Sequence, residues 1–87
     1  MPQEPALSTH TVRVFVTLKP SVFDPQGHTI VEALHSMGHA RVADVRQGKY
    51  FEVQVEADSV DEATTLVREV ADTLLANPVI ESYRLEA

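Results

Sequence analysis

Eighty-seven residues, 44% of them hydrophobic, are enough for one modest core and not for two. Thirteen Asp and Glu against seven Lys and Arg leave a formal charge of -6, which disfavours nucleic acid and anionic lipid as partners. With no cysteine there is no disulfide, no thiolate zinc site and no thiol nucleophile. A chain this short buries only about 60 to 68% of its unfolded surface, so self-association would extend its core usefully. MPQEPALST lacks the basic and apolar regions of a secretory signal, and no run approaches the length of a membrane span. The expectation is a cytoplasmic protein with no membrane partner.

Residues 1–10 hold two of the five prolines and no periodicity, and read as a disordered tail before a single domain over 11–87. From Thr11, TVRVFVTL alternates Val12, Val14, Val16 and Leu18 against Thr11, Arg13, Phe15 and Thr17, the period of a half-buried strand. Pro20 stops it. Asp24-Pro25 then offers an N-cap carboxylate and a proline at the first helical position. The helix carries an apolar stripe of Ile30, Ala33, Leu34 and Met37, and Gly38 suits its left-handed C-terminal position. Gly27 in the first turn points to close approach of neighbouring backbone.

ARVADV reads as a second strand, joined through Arg46-Gln47-Gly48 to KYFEVQVEA as a hairpin with positive φ at Gly48. Phe51, Val53 and Val55 alternate against Tyr50, Glu52, Gln54 and Glu56 in that third strand. Ser59 and Glu62 stand at capping-box spacing before a second helix. Its apolar face is Ala63, Leu66, Val67, Val70, Ala71 and Leu74. Pro78 ends the helix by about Ala76, and 79–85 reads as a last strand. The order βαββαβ predicts an α+β ferredoxin-like sandwich, a four-stranded antiparallel sheet with both helices on one face. Phe15 and Tyr50 then lie on the uncovered face, a candidate surface for self-association.

His28, Glu32, His35 and His39 have spacings that metals accept, but they also form the solvated side of the first helix, with His39 beyond Gly38; no metal site is assigned. Asp61, Glu62, Glu69 and Asp72 read as solvated carboxylates of the second helix. No nucleophile elbow, phosphate loop or paired-carboxylate pocket is present, so no catalytic or cofactor-binding residue is assigned. RNA-binding sheets stack bases on aromatics placed like Phe15 and Tyr50, yet Glu52, Gln54 and Glu56 share that face and the basic signature is missing. Arg46 and Lys49, beside the Gly48 turn, could instead receive an acidic partner.

Three stretches together carry a family resemblance: LKPSVFDPQG (18–27), VADVRQGKYFEV (42–53) and LLANPVIESY (74–83). The chain resembles the PurS subunit of phosphoribosylformylglycinamidine (FGAM) synthase over nearly all of 11–86. The resemblance implies a non-catalytic accessory subunit of purine biosynthesis, without an active site of its own. It implies a dimer or tetramer that bridges a glutaminase subunit and an ATP-dependent synthetase subunit. Ammonia released from glutamine would then reach the synthetase as formylglycinamide ribonucleotide is converted to the formylglycinamidine. Within this reading Arg46, Lys49 and Asn77 are candidate partner-interface residues. The alternative from another class is an ACT-like small-molecule-sensing dimerisation module, which shares the element order.

Overall fold

The computed structural model describes residues 7–87, so the first six positions of the expected tail lie outside it. Strand β1 spans Ser8–Leu18, helix α1 Pro25–Ser36, strand β2 Gly48–Ala57, helix α2 Val60–Val70 and strand β3 Glu81–Glu86. The expectation of a tail through His10 is not met at 8–10. Ser8, Thr9 and His10 are already strand, opposite Ala57, Glu56 and Val55, because β2 is long enough to pair with them.

The sheet has three antiparallel strands in the order β2-β1-β3, not four. The missing strand is the 40–45 segment, and with it goes the expected hairpin. Its backbone groups are satisfied elsewhere. Val42 O accepts from His35 Nε2 at 2.8 Å, Val45 N donates to the Asp44 carboxylate at 2.9 Å, and Gln47 N donates to Asp24 Oδ2 at 2.6 Å. A segment so occupied has no ladder to offer, and β2 is left as an edge strand.

Alternation in β1 sorts as the sequence predicts. Val12, Val14 and Val16 are fully buried towards α2, with Val55, Ala57, Ala63, Val67 and Ala71 completing the core. Helix α1 contributes nothing to that cluster, so α2 alone covers the sheet face. Instead α1 lies against its own return segment, and its expected core residues Ile30 and Met37 are exposed. Both ends of α1 form as read. Asp24 caps the N-terminus, and Gly38, at φ 96°, receives a Schellman closure in which His39 N donates to Leu34 O at 2.9 Å and Gly38 N to His35 O at 3.0 Å.

Helix α2 starts at Ser59, whose hydroxyl accepts Glu62 N–H at 3.1 Å, and it ends in a π-helical turn, Ala71–Leu75. The wider turn inserts one residue into the helical phase. Leu74, expected in the core, is therefore 80% exposed, while Leu75 packs on the core and Ala76 is buried. The junction after it also differs from the expected direct entry into a strand. Asn77 Oδ1 accepts Val79 N–H at 3.0 Å and Asn77 O accepts Glu81 N–H at 2.7 Å, so a turn over 77–80 precedes β3.

Candidate protein-docking surface

Three loops distant in sequence meet at one end of the sheet: 19–24 after β1, 44–47 before β2, and 75–81 between α2 and β3. Lys19 ties the first to the third, its backbone N–H donating to Ile80 O at 2.8 Å and its ammonium to Pro78 O at 2.9 Å. Arg46 ties the second to the first, one guanidinium nitrogen donating to Lys19 O at 3.1 Å and Val22 O at 3.0 Å. From the start of β2, Lys49 reaches Leu75 O at 3.2 Å and the Glu81 carboxylate at 3.4 Å. Glu81 in turn accepts Asn77 N–H at 2.7 Å. Each cation thus holds a carbonyl of another loop in place, and the Lys49–Glu81 pair, half exposed, adds no more than about 1 kcal/mol.

Asp24 is the polar centre of this end and is buried. Besides capping α1 through Gly27 N–H at 2.9 Å, it accepts Gln47 N–H. The Gln47 amide first, then the Gly27 amide, with Arg46 nearby, hold its carboxyl below the usual carboxylate range against the opposing effect of burial. Two glycines permit the close packing. A side chain at Gly27 would collide with Val45 O, and one at Gly48 with Val16 O. Gly48 is needed for that approach to β1 and not for positive φ, which among the described residues belongs to Gly38 alone. A cavity of about 300 Å³ remains between Val16, Leu18, Asp24, Lys49 and Glu81.

Of the residues singled out in the sequence, Arg46, Lys49 and Asn77 therefore come together at one end, the two cations as braces between loops and Asn77 as the organiser of its own 77–81 turn. Phe15 and Tyr50 come together on the sheet face opposite α2. Their rings are 5.1 Å apart at 43°, the Arg84 guanidinium lies 4.2 Å over Phe15, and Tyr50 Oη donates to Glu52 at 2.7 Å. The Glu52 carboxylate keeps the Tyr50 hydroxyl protonated above its ordinary range. The histidines do not converge: His28 faces Glu32 at 3.5 Å while His35 turns to Val42 O. Among the described residues no three His, Cys, Asp or Glu side chains are placed to hold a metal ion. Sequence reasoning missed two members of the loop end, Glu81 and the bracing role of Lys19. The four-residue spacing from Asn77 to Glu81 across a turn was the only local sign of the former.

The same end of the molecule is where the three quoted motifs meet, and a family model described as "PurS: Phosphoribosylformylglycinamidine (FGAM) synthase" matches residues 11–87. The chain belongs to the PurS family. A relative named phosphoribosylformylglycinamidine synthase subunit PurS, from Bacillus subtilis, is 51% identical over 77 residues, covering 88% of this chain and 90% of the relative. The solved structure of B. subtilis PurS superposes with a TM-score of 0.80 at 49% identity, over 91% of this chain and 96% of that one. A chain in the structure of PurLQS from Thermotoga maritima gives a TM-score of 0.84 at 30% identity, over 91% and 96%. PurS is thus a subunit of FGAM synthase, and the sensing-module alternative is not favoured. Among the described residues no helix is long and apolar enough to cross a membrane.

Proposed function

We propose that this chain works in the cytoplasm as the non-catalytic PurS subunit of FGAM synthase in purine biosynthesis. It bridges the glutaminase and synthetase subunits so that ammonia passes from glutamine to formylglycinamide ribonucleotide in the ATP-dependent step. The observation that carries this is the loop end itself. Lys19, Arg46 and Lys49 each hold a carbonyl of another loop, and Asp24, Lys49 and Glu81, which line the cavity, are engaged in the hydrogen bonds that fix those loops. Such an end is a rigid surface for contact.

Two surfaces divide the work. The loop end with Arg46, Lys49 and Asn77 faces a partner subunit, the three side chains fixing the shape that is recognised. The uncovered sheet face with Phe15 and Tyr50 joins a second copy in a homodimer, or in a tetramer. Support for the second contact is the thin core: its largest fully buried side chains are the four valines Val12, Val14, Val16 and Val67. A three-stranded sheet covered by one helix gains stability from any surface that a second copy buries.

The test is formation of formylglycinamidine ribonucleotide by purified synthetase and glutaminase subunits, with glutamine or with free ammonia, in the presence and absence of this chain. Glutamine-driven activity should require the chain while ammonia-driven activity persists without it. Full glutamine-driven activity in its absence would refute the reading.

A further inference from the structure

Positions 74 and 75 are both leucine, and the end of α2 gives one of them to the core at the expense of the other. In a continuous α-helix Leu74 falls about two turns after Val67 and would face the sheet with it. The π-helical turn Ala71–Leu75, closed by Ala76 N–H donating to Ala71 O at 3.0 Å, brings Leu75 inward instead. This exchanges one leucine for another, so apolar burial barely distinguishes the two phases. A π turn is nonetheless the rare choice, and what selects it must be a contact that differs between the phases.

Polar contacts from the sheet differ in this way. Lys49, from β2, donates to Leu75 O at 3.2 Å. Glu81, from β3, accepts Asn77 N–H at 2.7 Å through Oε1, and the same oxygen lies 3.4 Å from Lys49 Nζ. The ammonium thus joins the last carbonyl of the turn to the first amide beyond Ala76. Tyr83, also from β3, grips the start of the turn through Asp72 at 2.7 Å. In an α phase Ala76 N–H would pass from Ala71 O to Asp72 O, and the chain over 75–77 would rotate about the helix axis and leave the Lys49 bridge. That bridge is half exposed and modest in strength. Between two phases that bury the same side chain, a modest contact decides.

We propose that the end of α2 is a two-register switch, set in the π phase by Lys49 bridging Leu75 O and Glu81. With the bridge in place Leu75 is in the core and Leu74 in water. With it broken the end relaxes to the α phase, Leu74 enters the core, and the turn over 77–80 moves with the helix end. Lys49 is a positioning residue in this device, and the Tyr83–Asp72 bond is the fixed point about which the end rotates. The device belongs to this chain alone and does not depend on the PurS reading.

The test uses the full chain, labelled with 15N and 13C, and reads which carbonyl receives the Ala76 amide from the scalar coupling across the hydrogen bond. Wild type should couple Ala76 to Ala71. Lys49→Met keeps an apolar stem and removes the ammonium, and should couple Ala76 to Asp72; Lys49→Arg should keep the wild-type pairing. Urea midpoints give a second readout through the non-additivity of neighbouring changes. Leu75→Ala should lower the midpoint more than Leu74→Ala in the wild-type chain, and the order should invert in the Lys49→Met background. Glu81→Gln keeps an acceptor for Asn77 N–H while removing the charge that holds the ammonium, and should move both readouts in the same direction.

A folded Lys49→Met chain in which Ala76 stays paired with Ala71 and Leu75→Ala stays the costlier change would overturn the proposal. So would pairing of Ala76 with Asp72 in the wild type. If Lys49→Met does not fold, Glu81→Gln decides by the same two readouts. Failure of the switch leaves the bridging role in place.

Discussion

Asp24 and Gln47 stand at the two ends of the α1 excursion, and the Asp24 carboxylate joins them, accepting Gln47 N–H at 2.6 Å through one oxygen and Gly27 N–H at 2.9 Å through the other. One side chain thus starts a helix and fixes where the chain re-enters the sheet. Its lowered pKa gives a sign. The contribution is complete above the ordinary carboxylate range and is lost as pH falls through the depressed folded value. Titration between about pH 5 and 8 should leave this contact untouched. Asp24→Asn keeps one acceptor and opposes the other amide with an NH2 group. It should lower Tm by roughly 5 °C or more and remove part of the acid sensitivity, both readable by thermal melts from pH 7 to pH 3.

Gly27 and Gly38 should respond to alanine for different reasons. At Gly38 the cost is the positive φ in otherwise open space, about 1 kcal/mol. At Gly27 a methyl meets the Val45 carbonyl and the Asp24 carboxylate, so about 2 kcal/mol or more is expected and the α1 cap is disturbed as well. Denaturant unfolding of the two variants separates them by midpoint.

Leu74 and Leu75 test the π-helical phase. Leu75→Ala removes a side chain packed on the core and should cost about 1–2 kcal/mol. Leu74→Ala should stay within about 0.5 kcal/mol, since that side chain is exposed. A regular α-helical phase would reverse the order.

Tyr83 Oη donates to Asp72 at 2.7 Å, pinning β3 to the helix above it, and the carboxylate raises the hydroxyl's pKa. Tyr83→Phe should destabilise by about 1 kcal/mol, measured by urea unfolding.

Phe15→Ser with Tyr50→Ser opens the aromatic pair on the uncovered sheet face. If that face joins two copies, light scattering at micromolar concentration should show the mass fall to that of one chain while the circular dichroism spectrum is retained. An unchanged mass would remove these residues from the self-association surface.

Local rules read from the sequence hold wherever the determining contacts are local. The alternation of Val12, Val14 and Val16, the Asp24-Pro25 cap, the Gly38 closure and the Ser59 cap each depend on residues within a few positions, and each stands in the structure. Gly27 is a further case, since a glycine in a helix's first turn signals close approach, and Val45 O supplies it. Reading failed at 40–47 because a strand-like alternation cannot show that Asp24 and His35 already hold that backbone.

What the sequence determined by itself was therefore the nature of most elements, the inward face of β1 and, through three motifs in register, the family. The tertiary structure decided the number of strands, the freedom of α1 from the core, the outward turn of Leu74 and the meeting of Lys19, Arg46, Lys49 and Asn77 at one end. The physical reason is range. Periodicity and capping are settled by neighbours along the chain, whereas a carbonyl's choice between a strand partner and a distant side chain is settled only when both compete for it in space.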